Sequence, residues 1–152
     1  MRTIPLSAAL LLWAVTLNAQ QTAKHASATQ PAWGPAPAAF PAGAQMAVIS
    51  GDPSKAAPFV VELKVPDGYR IPPHFHPTDE TVTVKEGTFN VGMGDTLDLA
   101  KTKAMKAGDK GTVPAGHHHY AAASGATIVS VSAMGPFAMT YVNPADDPQK
   151  KQ

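Results

Sequence analysis

The stretch Gly68-Tyr69-Arg70-Ile71-Pro72-Pro73-His74-Phe75-His76-Pro77-Thr78-Asp79-Glu80-Thr81-Val82-Thr83-Val84-Lys85-Glu86-Gly87 decides how this chain is to be read. His74 and His76 are two apart, so on a strand both imidazoles point to the same face. Continued extended chain would carry Glu80 about 13 Å past His76. A tight turn over Pro77-Thr78-Asp79 removes that distance by doubling the chain back. Glu80 then lands on a neighbouring antiparallel strand, roughly 5 Å across. On that strand Glu80, Val82 and Val84 share a face, with Thr81, Thr83 and Lys85 on the other. The carboxylate therefore points into the same apolar interior as the valines. Five of the six histidines lie in two short windows, and the second is His117-His118-His119. It follows Val113-Pro114-Ala115-Gly116, which suits a type I turn with proline second and glycine fourth. His117 and His119 would share a face on the strand beyond, with His118 opposed.

Outward from these windows the chain alternates. Phe59, Val61, Leu63 and Val65 form one face and Val60, Glu62 and Lys64 the other, the period of a half-buried strand. Pro66-Asp67-Gly68 ends it. A Glu86-Gly87 turn is expected next, with Phe89 and Val91 on a return strand broken at residues 92–94. Residues 96–104, rich in Leu, Ala and Lys, are the one expected helical turn or two. Further strands are expected over 111–113, 120–123, 126–133 and 138–142. Short strands with turn signals between them predict an all-β sandwich or small barrel over residues 44–143, followed by a polar tail, 144–152.

Composition agrees. Fifteen prolines and twelve glycines in 152 residues are too many for a helical bundle. The formal charge of +1 gives no clustered basic face for nucleic acid. Lys101, Lys103 and Lys106 read as a solvated surface. Cysteine is absent, which excludes disulfides and thiol chemistry. Arg2, the apolar run Ala8 to Val15 and the small Ala19 have the layout of a secretory signal peptide, 1–19, cut after Ala19. The run is short of the roughly 20 residues a membrane span needs. Cleavage removes one basic residue and no acidic one, taking Lys+Arg from 12 to 11 against 11 acids. A soluble exported protein is expected, periplasmic in a Gram-negative source. Residues 20–43, rich in Ala, Pro, Gln and Thr, read as a linker or arm. Trp33 and Phe40 would pin it in a groove or line a mouth. Tyr120, Tyr141, Met93, Met105, Met134 and Met139 read as packing. Arg70 would steer an anion or pair with Asp67.

The two windows resemble the two motifs of the cupin superfamily. The first is Gly68, five residues, His74-Phe75-His76, three residues, Glu80, six residues, Gly87. The second is Gly108, five residues, Pro114-Ala115-Gly116, two residues, His119. The second departs once, with Ala123 where cupins often have Asn. The resemblance covers Gly68 to about Ala123. It implies a double-stranded β-helix, a jelly-roll barrel, holding one divalent transition metal (Mn, Fe, Co, Ni, Cu or Zn) through His74, His76, Glu80 and His119. Spacing favours His119 over His117, which would replace it if the strand register slipped. With His119 as the ligand, His117 and His118 would instead be mouth residues acting as acid or base, or part of a solvated turn. Three neutral imidazoles and a carboxylate leave coordination positions open, a catalytic rather than a closed arrangement. The implied function is a dioxygenase, or an isomerase or lyase working through an enolate, on a small oxygenated molecule. The same fold and ligands also fit a non-catalytic ligand-binding or sensing module. Small molecules are the expected partners, with no membrane contact after cleavage, and the resemblance allows a homodimer.

Overall fold

A computed structural model describes residues 30–151 of the chain. The expected signal segment, 1–19, and the first part of the arm lie outside the described residues. Nine strands carry the fold: β1 (Gly34–Pro35), β2 (Gln45–Ser50), β3 (Pro58–Val65), β4 (Arg70–Phe75), β5 (Glu80–Met93), β6 (Lys103–Lys106), β7 (Lys110–Val113), β8 (His119–Met134) and β9 (Thr140–Tyr141). The alternation that predicted β3 is kept: Phe59, Val61, Leu63 and Val65 are buried. Each such side chain contributes about 1.5–3 kcal/mol by leaving water.

One long antiparallel ladder organises the rest. β5 pairs with β8 from Glu80↔Ala133 to Met93↔His119. On its other side, the first part of β8 takes β4 (Ile71↔Ala121, His74↔His119) and the last part takes β3 (Phe59↔Ala133, Val65↔Thr127). The β5–β8 register shifts between Val84 and Glu86 and again between Glu86 and Thr88. Such bulges bend a strand and increase its twist. The ladder curls here, so the two halves of the sheet face one another across a core that includes Val82, Val84, Phe89, Val129 and Val131. The fold is an all-β jelly roll, curled as a half-barrel, the architecture that the resemblance implied.

Three local expectations are corrected. Glu86-Gly87 is not a hairpin turn, because β5 runs through it and Phe89 and Val91 continue along the same partner, β8. Gly87 serves the bulge: its φ is +75°, and a Cβ there would stand 2.5 Å from the carbonyl oxygen of Ala126. The helical stretch shrinks to one 3₁₀ turn, Leu99–Lys101, capped by the Asp98 side chain. Residues 103–106 instead form β6, with Met105 opposite Phe89. Pairing and burial of that one side chain outweigh a weak local helix preference. Finally, the turn before His117 closes one residue late, by His117 N–H donating to the Pro114 carbonyl at 3.1 Å. Gly116, at φ +73°, then takes the third place, as a type II turn requires.

The described part of the arm lies on the barrel. Gly34 pairs with Met46, and the Lys64 ammonium sits 4.2 Å over the Trp33 ring. Phe40 is buried and stacks on Phe137, ring centroids 5.8 Å apart.

Candidate metal centre

His74 on β4 and His119 at the start of β8 are directly paired across the ladder, ring centroids 4.2 Å apart. His76 follows one residue beyond the end of β4, and its ring lies 5.1 Å from that of His74. Glu80 opens β5. It arrives by a route different from the expected one, since β4 pairs with β8 and β9 and not with β5. Glu80 stands opposite Ala133, at the far end of β8 from His119, and the curl of the sheet closes the gap. Two hydrogen bonds, each donated by a backbone N–H, fasten the windows together. Gly116 N–H donates to the His76 carbonyl at 2.8 Å, and Ala115 N–H donates to Asp79 Oδ1 at 2.8 Å.

The protonation pattern of the site follows from its neighbours. His74 Nδ1 lies 2.7 Å from the Pro72 carbonyl, His76 Nδ1 2.7 Å from the Ala138 carbonyl, and His119 Nδ1 3.0 Å from the His117 carbonyl. A carbonyl only accepts, so each Nδ1 carries a proton, and each ring turns its Nε2 inward, a bare lone pair whenever the ring is neutral. Glu80 is another acceptor: Oε1 lies 3.5 Å from His76 Nε2 and Oε2 3.3 Å from His119 Nε2. His76 Nε2 is fully buried with no hydrogen-bond partner. With the rings neutral, four acceptors converge, and among the described residues lining the cavity no other side chain offers a donor.

A divalent ion fits this donor set. Ligand atoms about 2.1 Å from one ion stand about 3 Å apart at right angles and about 4.2 Å apart when opposed. Ring nitrogens of His74, His76 and His119 all lie within 4.8 Å of one another, and the Glu80 oxygens fall at 3.3 and 3.5 Å from two of them. Nδ1–H bonds to backbone carbonyls are also the outer contacts that orient metal-binding imidazoles. Burial, with the adjacent His119 ring, pushes the His74 pKa down to about 3, so it is a neutral donor at pH 7. Burial alone would raise the Glu80 carboxyl. Where the imidazoles carry a second proton, the hydrogen bond from His119 Nε2–H and the charge of the surrounding rings outweigh it and hold the group below the ordinary carboxylate range.

The cluster ends a cavity of about 30 Å³ whose other walls include Phe40, Phe89, Val91, Val113 and Met139. Its polar lining comes from the three histidines and Glu80. His117 and His118, expected at the mouth as acid or base, lie outside it. His117 is exposed in the turn. His118 stacks on Phe75, ring centroids 5.1 Å apart, and its Nδ1 lies 2.6 Å from Asp95 Oδ1. Alternation explains this: Phe75 and His118 project from the face opposite to that of His74 and His119.

Other candidates settle as follows. Tyr120 and Tyr141 are buried outside the cavity, with hydroxyls donating to the carbonyls of Asp98 and Ala39. Arg70 is exposed, and Asp67 accepts from Gly125 N–H instead of pairing with it. Met105 is buried, whereas Met93 and Met134 are about half exposed, because each ends its strand beyond the curl of the sheet. Residue-type reasoning missed the backbone acceptors of Pro72, Ala138 and His117. No side-chain pattern announces a carbonyl.

The cupin domain model matches residues 61–134, which contain all four of these side chains. No curated protein matches the chain. Among solved structures, it is similar to a presumed acetylacetone dioxygenase from Methylibium petroleiphilum PM1, at 20% identity and TM-score 0.61, over 95% of this chain and 90% of that one. The polyketide cyclase RemF from Streptomyces resistomycificus matches at 21% identity and TM-score 0.58, covering 72% of this chain and 78% of that one. An RmlC-like cupin from Shewanella frigidimarina NCIMB 400 matches at 20% identity and TM-score 0.55, over 69% and 84%. Likeness at these identities speaks for the fold. Together with the domain match and the paired histidine windows, it makes this chain a member of the cupin superfamily.

Proposed function

We propose that the chain is a metal-dependent enzyme of dioxygenase type acting on a small oxygenated molecule. The observation that carries this is the buried set of three imidazoles and one carboxylate, with His76 Nε2 unpartnered, facing one apolar cavity. His74, His76, His119 and Glu80 would hold one divalent transition ion. Bound there, such an ion supplies Lewis acidity toward a chelating oxygen and, if redox-active, electron exchange with dioxygen. The protein supplies the rest. Three backbone carbonyls fix the rings, the apolar wall excludes water, and Glu80 is the sole carboxylate among the described residues lining the cavity. With no separate acid–base pair beside it, a reaction needing little proton shuttling fits better than an isomerase or lyase that must move protons between carbons. The same absence favours, as a second reading, a non-catalytic module that captures a ligand through the metal.

Metal analysis followed by oxygen uptake separates the readings. The parent protein should take up one equivalent of metal and consume oxygen with one of β-diketones, catechols or flavonols. The likeness to a presumed acetylacetone dioxygenase puts β-diketones first. His76→Ala and Glu80→Ala should lose the metal, and full occupancy in those variants overturns the site. Tight, unconsumed ligand on the loaded protein selects the binding module. Export to the periplasm is part of the same proposal, carried by the expected signal segment.

A further inference from the structure

Beside the histidine cavity lies a second recess, of about 240 Å³, at the free side edge of the sheet. β6 and β7 both pair with β5 and with no other strand. Val82, Val91 and Val113 line both spaces, so the recess backs directly onto the cavity wall. The ladder sets which side chains face it. Met105 stands opposite Phe89, Lys103 opposite Val91 and Met93 opposite His119. Residues opposed in an antiparallel pair share a face, so all three project with the inward-facing set. Met105 crosses from β6 to β7, where Gly111 leaves it room: a Cβ on Gly111 would meet its methyl group at 3.4 Å. Lys103 is exposed at the rim, with no carboxylate within ion-pair distance among the described residues. The acids of the adjoining loop are engaged elsewhere, Asp98 with Lys101 and Asp95 with His118.

The histidine cavity, at about 30 Å³, has room for little more than a water or two beside an ion. A substrate larger than a few atoms needs further space, and the adjoining recess is mostly apolar and lined by two lysines. Lys103 projects with the inward set, and Lys110, opposite Thr83, alternates toward the other face of the sheet. We propose that this recess takes the body of the substrate, an apolar chain or ring bearing a carboxylate. The anion rests at Lys103, and the apolar part runs past Met105 toward the valine wall of the cavity. Met105, flexible and polarisable, is the movable element of the recess. This rests on the reading of the cavity as a metal-dependent small-molecule site.

The test uses metal-free protein carrying ¹³C-methyl methionine, titrated with octanoate and, separately, with uncharged octanamide. Octanoate should move the Met105 and Met93 methyl signals saturably, leave Met134 in place, and bind about tenfold more tightly than octanamide. Lys103→Gln should remove that tenfold advantage and leave octanamide unchanged. Gly111→Val, which crowds the Met105 methyl, should weaken both. Equal binding of the two probes, no effect of Lys103→Gln, or shifts confined to Met134 would overturn the proposal. Metal titration of the same samples keeps the two claims apart. Methyl shifts without metal uptake would sink the metal reading alone, and metal uptake without methyl shifts would sink the recess alone.

Discussion

Glu80→Gln should make the metal-free protein more stable and the metal-loaded protein less so. The substitution keeps the shape and removes the charge. In the metal-free state the Glu80 oxygens face the bare Nε2 atoms of His76 and His119 at 3.5 and 3.3 Å, acceptor against acceptor. His76 Nε2 is buried without a partner, a condition costing about 1–3 kcal/mol. A glutamine amide can donate to that nitrogen, while its oxygen still faces the other ring. The expected net gain is about 1–2 kcal/mol, which for a domain of this size raises Tm by roughly 4–8 °C. The measurement is thermal and urea unfolding of metal-free protein at pH 8, above the ordinary imidazole range near 6.5. Added metal should reverse the order. At a concentration of 100 times its Kd, the parent gains about 2.7 kcal/mol; a variant weakened about 100-fold gains about 0.4. If metal-free Glu80→Gln is instead the less stable protein at pH 8, protons already bridge the cluster and the acceptor argument fails. If metal stabilises it as strongly as the parent, Glu80 is not a ligand.

Acid should weaken the metal-free fold over a defined window. The His74 pKa is pushed down to about 3 by burial, so the unfolded chain, with its imidazole near 6.5, binds more protons than the folded one. The contribution is complete above about pH 6.5 and declines as pH falls toward 3; urea midpoints measured across that range should drop steadily, and a flat profile would contradict it. Asp79→Ala should lower metal affinity without removing a ligand, because its carboxylate anchors the Ala115 N–H in the turn before His119; Asp79→Asn should restore much of it in the same metal titration. Gly92→Ala should cost about 1–3 kcal/mol in an unfolding titration, since its Cβ would stand 2.3 Å from the ring of Tyr120, which is 1% exposed. If the exported form is cut as expected, N-terminal sequencing of periplasmic protein should begin at Gln20.

What residue order alone determined is local. The two-residue spacing of His74 and His76, the alternation of residues 59–65 and the inward set Glu80, Val82 and Val84 all follow from strand periodicity, which acts over a few residues. The motif spacings added the family and a candidate ligand set. Everything depending on which strand lies beside which was decided by the folded chain. Glu80 reaches the histidines because β5 and β8 bend together, not because its strand neighbours β4. Gly87 bends a continuous strand where its sequence reads equally well as a turn, since both need a residue at positive φ. Alternation set His118 opposite His119 and spacing favoured His119 over His117, but only the folded chain left both His117 and His118 outside the cavity. The carbonyls of Pro72, Ala138 and His117 fix the ring protons, yet a backbone oxygen is present at every residue and carries no signature. Selecting those three took long-range packing, because convergence is a property of pairing between segments dozens of residues apart, and no local pattern encodes it.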